Sequence, residues 1–167
     1  FGLGAIQPGN PLALPAIAQM AEKDQVPSVR ASAIAILGQT QDKQYVPIIQ
    51  KGLAPNEAYS VVGAALSALS TLDPASAISA SKALENENSD AIIAALAELY
   101  AQIPGMEQLA WFKSHEGKVD QMAAFTFFEN YQLFLVGLKN EAVLNEGILN
   151  WKKNALSPDT NSEWRRF

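Results

Sequence analysis

The chain holds a single histidine, His115, followed by Glu116 and Gly117. A zinc hydrolase site needs several ligands, commonly two histidines one helical turn apart with a glutamate as base. One histidine does not supply that set, so His115 reads as a neutral residue at a helix end or on the surface. Ser114 alone adjoins the histidine, and the other serines sit mostly in Ala/Ser-rich stretches. They read as small packing residues or caps, not as nucleophiles of a Ser-His-Asp arrangement. The densest acidic group, Glu85-Asn86-Glu87-Asn88-Ser89-Asp90, invites calcium but lacks the spacing and glycine of an EF-hand loop, so it reads as a solvated turn. Glycines form no phosphate-cradling pattern. The aromatic run Phe125-Thr126-Phe127-Phe128-Glu129-Asn130-Tyr131 could line a groove for a partner helix. Core packing against the last helices is the preferred reading of it. Trp164, Arg165 and Arg166 could meet an anionic group, but as the opening of a helix they read as packing or capping residues. No residue is therefore assigned a catalytic, cofactor-binding or metal-binding role, and the binding residues stay open.

The elements that carry these residues repeat. Ser28–Leu37, Ser60–Leu69 and Asp90–Leu99 superimpose at offsets of 32 and 30 residues. Each opens with Ser or Asp, which are good N-cap types. Each then places apolar residues at helical spacing, as in Val29, Ala33 and Leu37 or Val62, Leu66 and Leu69. Small residues (Ala31, Ala33, Gly63, Ala64, Ala65, Ala94, Ala95) predict close helix contacts. Partner helices are expected over Pro11–Lys23, Lys43–Leu53, Pro74–Glu85 and Met106–His115, with Asp42 and Asp73 placed as caps. An interior proline costs about 3 kcal/mol, so the helices holding Pro15 and Pro47 should start late or kink. The unit is helix, turn, helix, and one such pair cannot bury both of its apolar faces without stacking on the next.

After Gly117 the pattern changes. Lys118–Leu138 predicts a longer aromatic-rich helix and Asn140–Leu156 another, followed by a loop at Ser157–Ser162. Glu163–Phe167 reads as the start of a further second helix. The expected architecture is an all-α, α-α superhelix of four to five helix pairs. Residues 1–117 would form helix-pair repeats with a period of about 30–32 residues, and residues 118–167 the longer helices and a truncated last repeat of the same domain. The start at Phe1-Gly2-Leu3-Gly4 and the missing polar cap at the end suggest a piece of a longer protein.

Composition narrows the partners. A net charge of −5 disfavours nucleic acid and anionic membrane surfaces, which need clustered Lys and Arg. Hydrophobic residues at 49% and charged residues at 17% describe a globular chain. There is no cysteine, hence no disulfide, and no apolar run reaches membrane-spanning length; the compartment stays open.

The tetratricopeptide and ankyrin patterns are missing, and Asp24-Gln25-Val26-Pro27-Ser28-Val29-Arg30-Ala31-Ser32-Ala33-Ile34 resembles a HEAT repeat. Further segments resemble the C-terminal helical domain of bacterial M1-family zinc aminopeptidases: Gln44–Leu53, Glu57–Leu69, Leu72-Asp73-Pro74, Ala94–Ala101 and Ser162–Phe167. That resemblance implies a non-catalytic domain that closes over the catalytic domain of the same chain and gates peptide access. It implies zinc in the catalytic domain of a parent metallopeptidase and no cofactor in these 167 residues. The family's His-Glu-x-x-His helix has no counterpart here, so none of its zinc or base residues carries over. Pro104-Gly105-Met106-Glu107-Gln108 only faintly echoes the family's exopeptidase loop and reads as a helix start. The second helices would line the chamber, with Arg30, Ser32, Ser67, Glu98 and Gln102 as the exposed positions. The alternative is a stand-alone HEAT-repeat scaffold for protein–protein interaction. A HEAT-like enzyme is the remaining rival: a DNA glycosylase is opposed by the charge, and a bilin lyase finds no matching residue constellation.

Overall fold

A computed structural model describes residues 12–119 and 121–156. The readings of Phe1–Gly4, of the loop Ser157–Ser162 and of Glu163–Phe167 fall outside them. Among the described residues there are nine α-helices and one 3₁₀ turn, with no strand. They are α1 (Leu14–Lys23), α2 (Pro27–Gln39), α3 (Val46–Lys51), α4 (Tyr59–Leu72), α5 (Pro74–Leu84), α6 (Asp90–Gln102), α7 (Met106–His115), α8 (Gln121–Gly137) and α9 (Glu141–Leu156).

The proline argument explains where the first helices start. Pro15, Pro47 and Pro74 all fall in the first two helical positions, where a missing N–H costs nothing. The 3₁₀ turn Lys43–Tyr45 occupies the stretch before Pro47, which leaves α3 only six residues long. Asp42 and Asp73 do cap, accepting the backbone N–H groups of Gln44 at 2.9 Å and Ser76 at 3.4 Å. Ser28, Ser60 and Asp90 do not. They lie in the first turn, behind the cap residues Val26, Ala58 and Ser89, none of which makes a side-chain capping bond. The α2 entry is tightened by Asp24 instead, whose carboxylate accepts the Val26 N–H at 2.8 Å.

Two layers result. The second helices α2, α4, α6 and α8 pack in sequence on one another, while α1, α3 and α5 lie against them on one side. Central position explains composition: nine of the fourteen residues of α4 are buried, because it is covered by α2, α6, α3 and α5. Fully burying one Leu or Ile contributes about 1.5–3 kcal/mol. Leu37, Leu66, Leu69, Ile92 and Leu96 all reach 0% exposure, so the core runs unbroken through the layer.

Close approach depends on the small residues. A methyl group added at Gly63 would stand 2.7 Å from the Ala91 carbonyl oxygen, and one at Gly38 would stand 2.7 Å from the Ala68 Cβ. The helices have packed to the limit that glycine allows. This is a helical-repeat solenoid.

Candidate protein-binding surface

The second-helix layer begins each helix at an equivalent point: Pro27, Tyr59, Asp90 and Gln121. Helical geometry then puts Gln39, Thr71, Gln102 and Leu133 at equivalent positions on one edge of the layer. All four are exposed. The Gln102 amide donates to Ser70 of α4 at 3.4 Å and to the Glu98 carbonyl at 3.2 Å, which ties this edge of α6 to α4. The row offers carboxamide and hydroxyl groups, without formal charge, and closes on an apolar residue. Such groups can donate to and accept from a peptide main chain.

Only part of the expected exposed set is available. Ser32 and Gln102 face solvent, whereas Arg30, Ser67 and Glu98 are half-buried and tie helices together. The Ser67 hydroxyl donates to Glu98 at 2.6 Å, linking α4 to α6. The Arg30 guanidinium donates to the Asp24 carbonyl at 2.6 Å and pairs with Glu57, clasping two inter-helix loops. Glu57 also accepts the Ala58 N–H at 2.8 Å. That backbone bond, followed by Arg30, holds the Glu57 carboxyl below its usual range against the opposing effect of burial. Sequence alone missed these roles because i-to-loop clasps leave no periodic trace; Gln39, Thr71 and Leu133 were legible only through register, once the helix starts were known.

His115 is at a helix end, as expected, but it is buried at 4% exposure instead of lying on the surface. Its ring stacks on Trp111 with centroids 4.5 Å apart. Its Nδ1 lies 2.8 Å from the Trp111 carbonyl oxygen and 2.9 Å from the Ser114 hydroxyl. The signal was present in sequence: Trp111 precedes it by one helical turn. The acidic turn also disperses. Glu85 accepts from the Tyr100 hydroxyl and pairs with Lys82, while Glu87 accepts from Tyr59 at 2.6 Å. Among the described residues no cluster of His, Asp or Glu could hold a metal ion. Pro104–Gln108 lies at a helix start, with Gly105 preceding α7.

The aromatic run divides by face. Phe127, Tyr131 and Phe134 are buried against Phe112, whose ring is parallel to Tyr131 at 4.7 Å and within 4.8 Å of Phe134. Trp111 meets the edge of Tyr100 at 5.2 Å. Burial pushes the Tyr100 hydroxyl well above its ordinary range, and the Glu85 acceptor adds to it; Tyr131 rises through burial and the nearby Glu116 carboxylate. Phe125, Leu133 and Val136 occupy the opposite, exposed side of α8. A cleft of about 380 Å³ opens between α7, α8 and α9, where Val143 and Leu149 line it alongside Lys113, Glu116, Glu146 and Asn150. Its charges are consumed internally: Lys113 pairs with Glu146 at 2.8 Å, and Asn150 donates to Glu116 at 2.9 Å.

Among the described residues no helix is long and apolar enough to cross a membrane. No curated protein and no solved structure matches the chain. Residues 7–101, more than half of the sequence, match the family described as HEAT repeats. With its pairwise helices and continuous second-helix layer, the chain belongs to the HEAT-repeat family.

Proposed function

We propose that the chain is a non-catalytic helical scaffold that holds polypeptide along its second-helix layer. Within that reading, it is the C-terminal domain of an M1-family zinc aminopeptidase. The carrying observation is the exposed row Gln39, Thr71, Gln102 and Leu133, which presents uncharged hydrogen-bonding groups on three helices and an apolar side chain on the fourth. HEAT repeats commonly serve protein interaction, because a stack of repeats offers one extended surface. The segments Gln44–Leu53, Glu57–Leu69 and Ala94–Ala101 support the finer reading through their likeness to the aminopeptidase domain. Zinc would belong to the catalytic domain: the lone His115 has its Nδ1 directed at the Trp111 carbonyl and does not fit a ligand set here.

In this role the domain docks on the catalytic domain of the same chain, and the row faces the peptide chamber. Gating then follows from geometry: a wall of fixed helices limits how a peptide longer than a few residues reaches the zinc. The test is release of N-terminal residues by the parent protein, with zinc supplied, before and after removal of residues 1–167. Cleavage whose dependence on peptide length changes on removal supports the reading. A parent without such activity overturns the aminopeptidase assignment. The scaffold reading then stands alone, favoured by the same row, and is tested by binding of unstructured peptide to the isolated chain.

A further inference from the structure

Positive charge is unevenly shared between the two layers. The odd-numbered helices α1, α3, α5, α7 and α9 each carry lysine, at Lys23, Lys51, Lys82, Lys113 and Lys152. Three of these lace neighbouring helices together: Lys51 pairs with Glu22, Lys82 with Glu107 and Lys113 with Glu146. In contrast, α4, α6 and α8 contain no lysine or arginine. The second helices hold a single basic residue, Arg30 in α2, and it is already paired with Glu57. Lys118 and Lys139 lie in the loops beyond the two ends of α8.

Negative charge sits where cations are missing. The ninth residue of each second helix is, in turn, Ala35, Ser67, Glu98 and Glu129. Each stands one helical turn before the matching member of the row Gln39, Thr71, Gln102 and Leu133, so the two rows share a face. Glu98 is half-buried and accepts the Ser67 hydroxyl at 2.6 Å, which leaves further acceptor sites on its carboxylate. Glu129 is exposed and makes no hydrogen bond or ion pair among the described residues. Because α6 and α8 pack on one another, the two acidic positions recur at helix spacing, about 8–10 Å.

We propose that the second-helix face takes a basic segment of polypeptide, with lysine or arginine side chains seated at Glu98 and Glu129. Charge complementarity selects this occupant: an acidic segment would meet two carboxylates with no cation on the neighbouring helices to offset them. The spacing selects side chains over a terminal ammonium. One ammonium reaches one carboxylate, whereas same-face residues of an extended segment recur about every 7 Å, and long basic stems span the remainder. The face is graded along the layer, from Ala35 and Ser67 to the two glutamates, so the basic part of the segment lies at the α6–α8 end. This inference rests on the reading that the layer holds polypeptide, and names the class of polypeptide it holds.

The test is fluorescence anisotropy at low salt, with the full chain and two capped, unstructured Ser/Gly peptides. One carries two lysines two residues apart, and the other has glutamine at both places. The lysine peptide should bind about 5-fold or more tighter, as two partly exposed ion pairs allow. That preference should shrink in E129Q and vanish in E98Q/E129Q, whose new amide can still accept the Ser67 hydroxyl. It should survive E22Q/E107Q, which removes the same charge from the other layer. If E98Q/E129Q does not fold, the exposed E129Q alone decides. Equal affinity for the two peptides overturns the inference and leaves the scaffold reading in place. A preference that E129Q and E98Q/E129Q leave intact also overturns it, as does equal loss in both double variants, which would reflect net charge alone. Absence of binding by either peptide brings down the scaffold reading itself, and this inference with it.

Discussion

Two parts of the stack hold their helices together by opposite means. From α2 to α6 the backbones come close because glycine and alanine line the contact: Gly38 against Ala68, Gly63 against Ala91. Around α7 the filler is aromatic, with Phe112 surrounded by Phe127, Tyr131 and Phe134 and Trp111 set between Tyr100 and His115. Small residues buy proximity but leave no slack, since an added methyl meets the Ala91 carbonyl or the Ala68 methyl. Large rings supply area instead, and a removed ring leaves a hole. The first region should thus be sensitive to enlargement and the second to truncation.

Phe112→Ala should produce the largest loss. Phe112 is fully buried and touches four other rings, so truncation should cost about 3–5 kcal/mol in chemical denaturation. The same truncation logic applied to the first region, Ala33→Gly, should cost far less, and equal losses would erase the contrast. Next comes Gly63→Ala, which forces a methyl group onto the Ala91 carbonyl. Overpacking of this kind should cost about 1–3 kcal/mol, despite the higher helix propensity of alanine. A stabilised Gly63→Ala protein would show that α4 and α6 have room after all.

The clasp at Arg30 sharpens the comparison further. Arg30→Ala leaves the half-buried Glu57 with only the Ala58 N–H and should lower the denaturation midpoint by the equivalent of about 1–3 kcal/mol. Glu57 is depressed in the folded state, so its contribution is present above its unfolded pKa of about 4.3 and lost as pH falls through the lower folded value. The Ala58 N–H bond is the larger cause and remains, so Arg30→Ala should weaken the acid dependence only in part.

The aromatic region should answer to alkali. Tyr100 and Tyr131 are raised in the folded state, so their contribution is intact below the unfolded pKa of about 10 and falls away as pH rises beyond it. Ultraviolet titration should show both phenols ionising late, with loss of helix. Early, reversible ionisation of all the tyrosines would contradict their burial.

The thirty-residue period made the helix pairs legible, because the apolar spacing of α2, α4 and α6 recurs with little interruption. Starts set by proline were legible too, since Pro15, Pro47 and Pro74 each admit one place in a helix. Caps were less so. Ser28, Ser60 and Asp90 look like caps in isolation, but the helices begin at or just before them and the tertiary stack supplies the stability a cap would add. The exposed row was only partly read. Ser67 and Glu98 look like solvent-facing residues on a helix wheel, and become a bond once α4 and α6 are placed side by side. The burial of His115 came from ring stacking across one helical turn, a contact that an apolar-periodicity argument does not count.

The central claim is that the second-helix row faces polypeptide. The most direct measurement compares kcat/KM of the parent for short and long peptides, with Gln39, Thr71 and Gln102 all changed to alanine. These side chains are exposed, so the fold should survive. The account predicts that kcat/KM falls by about 10-fold or more for long peptides, through loss of several hydrogen bonds of about 1 kcal/mol each, and hardly moves for single aminoacyl substrates. An unchanged ratio between the two substrate lengths would contradict it.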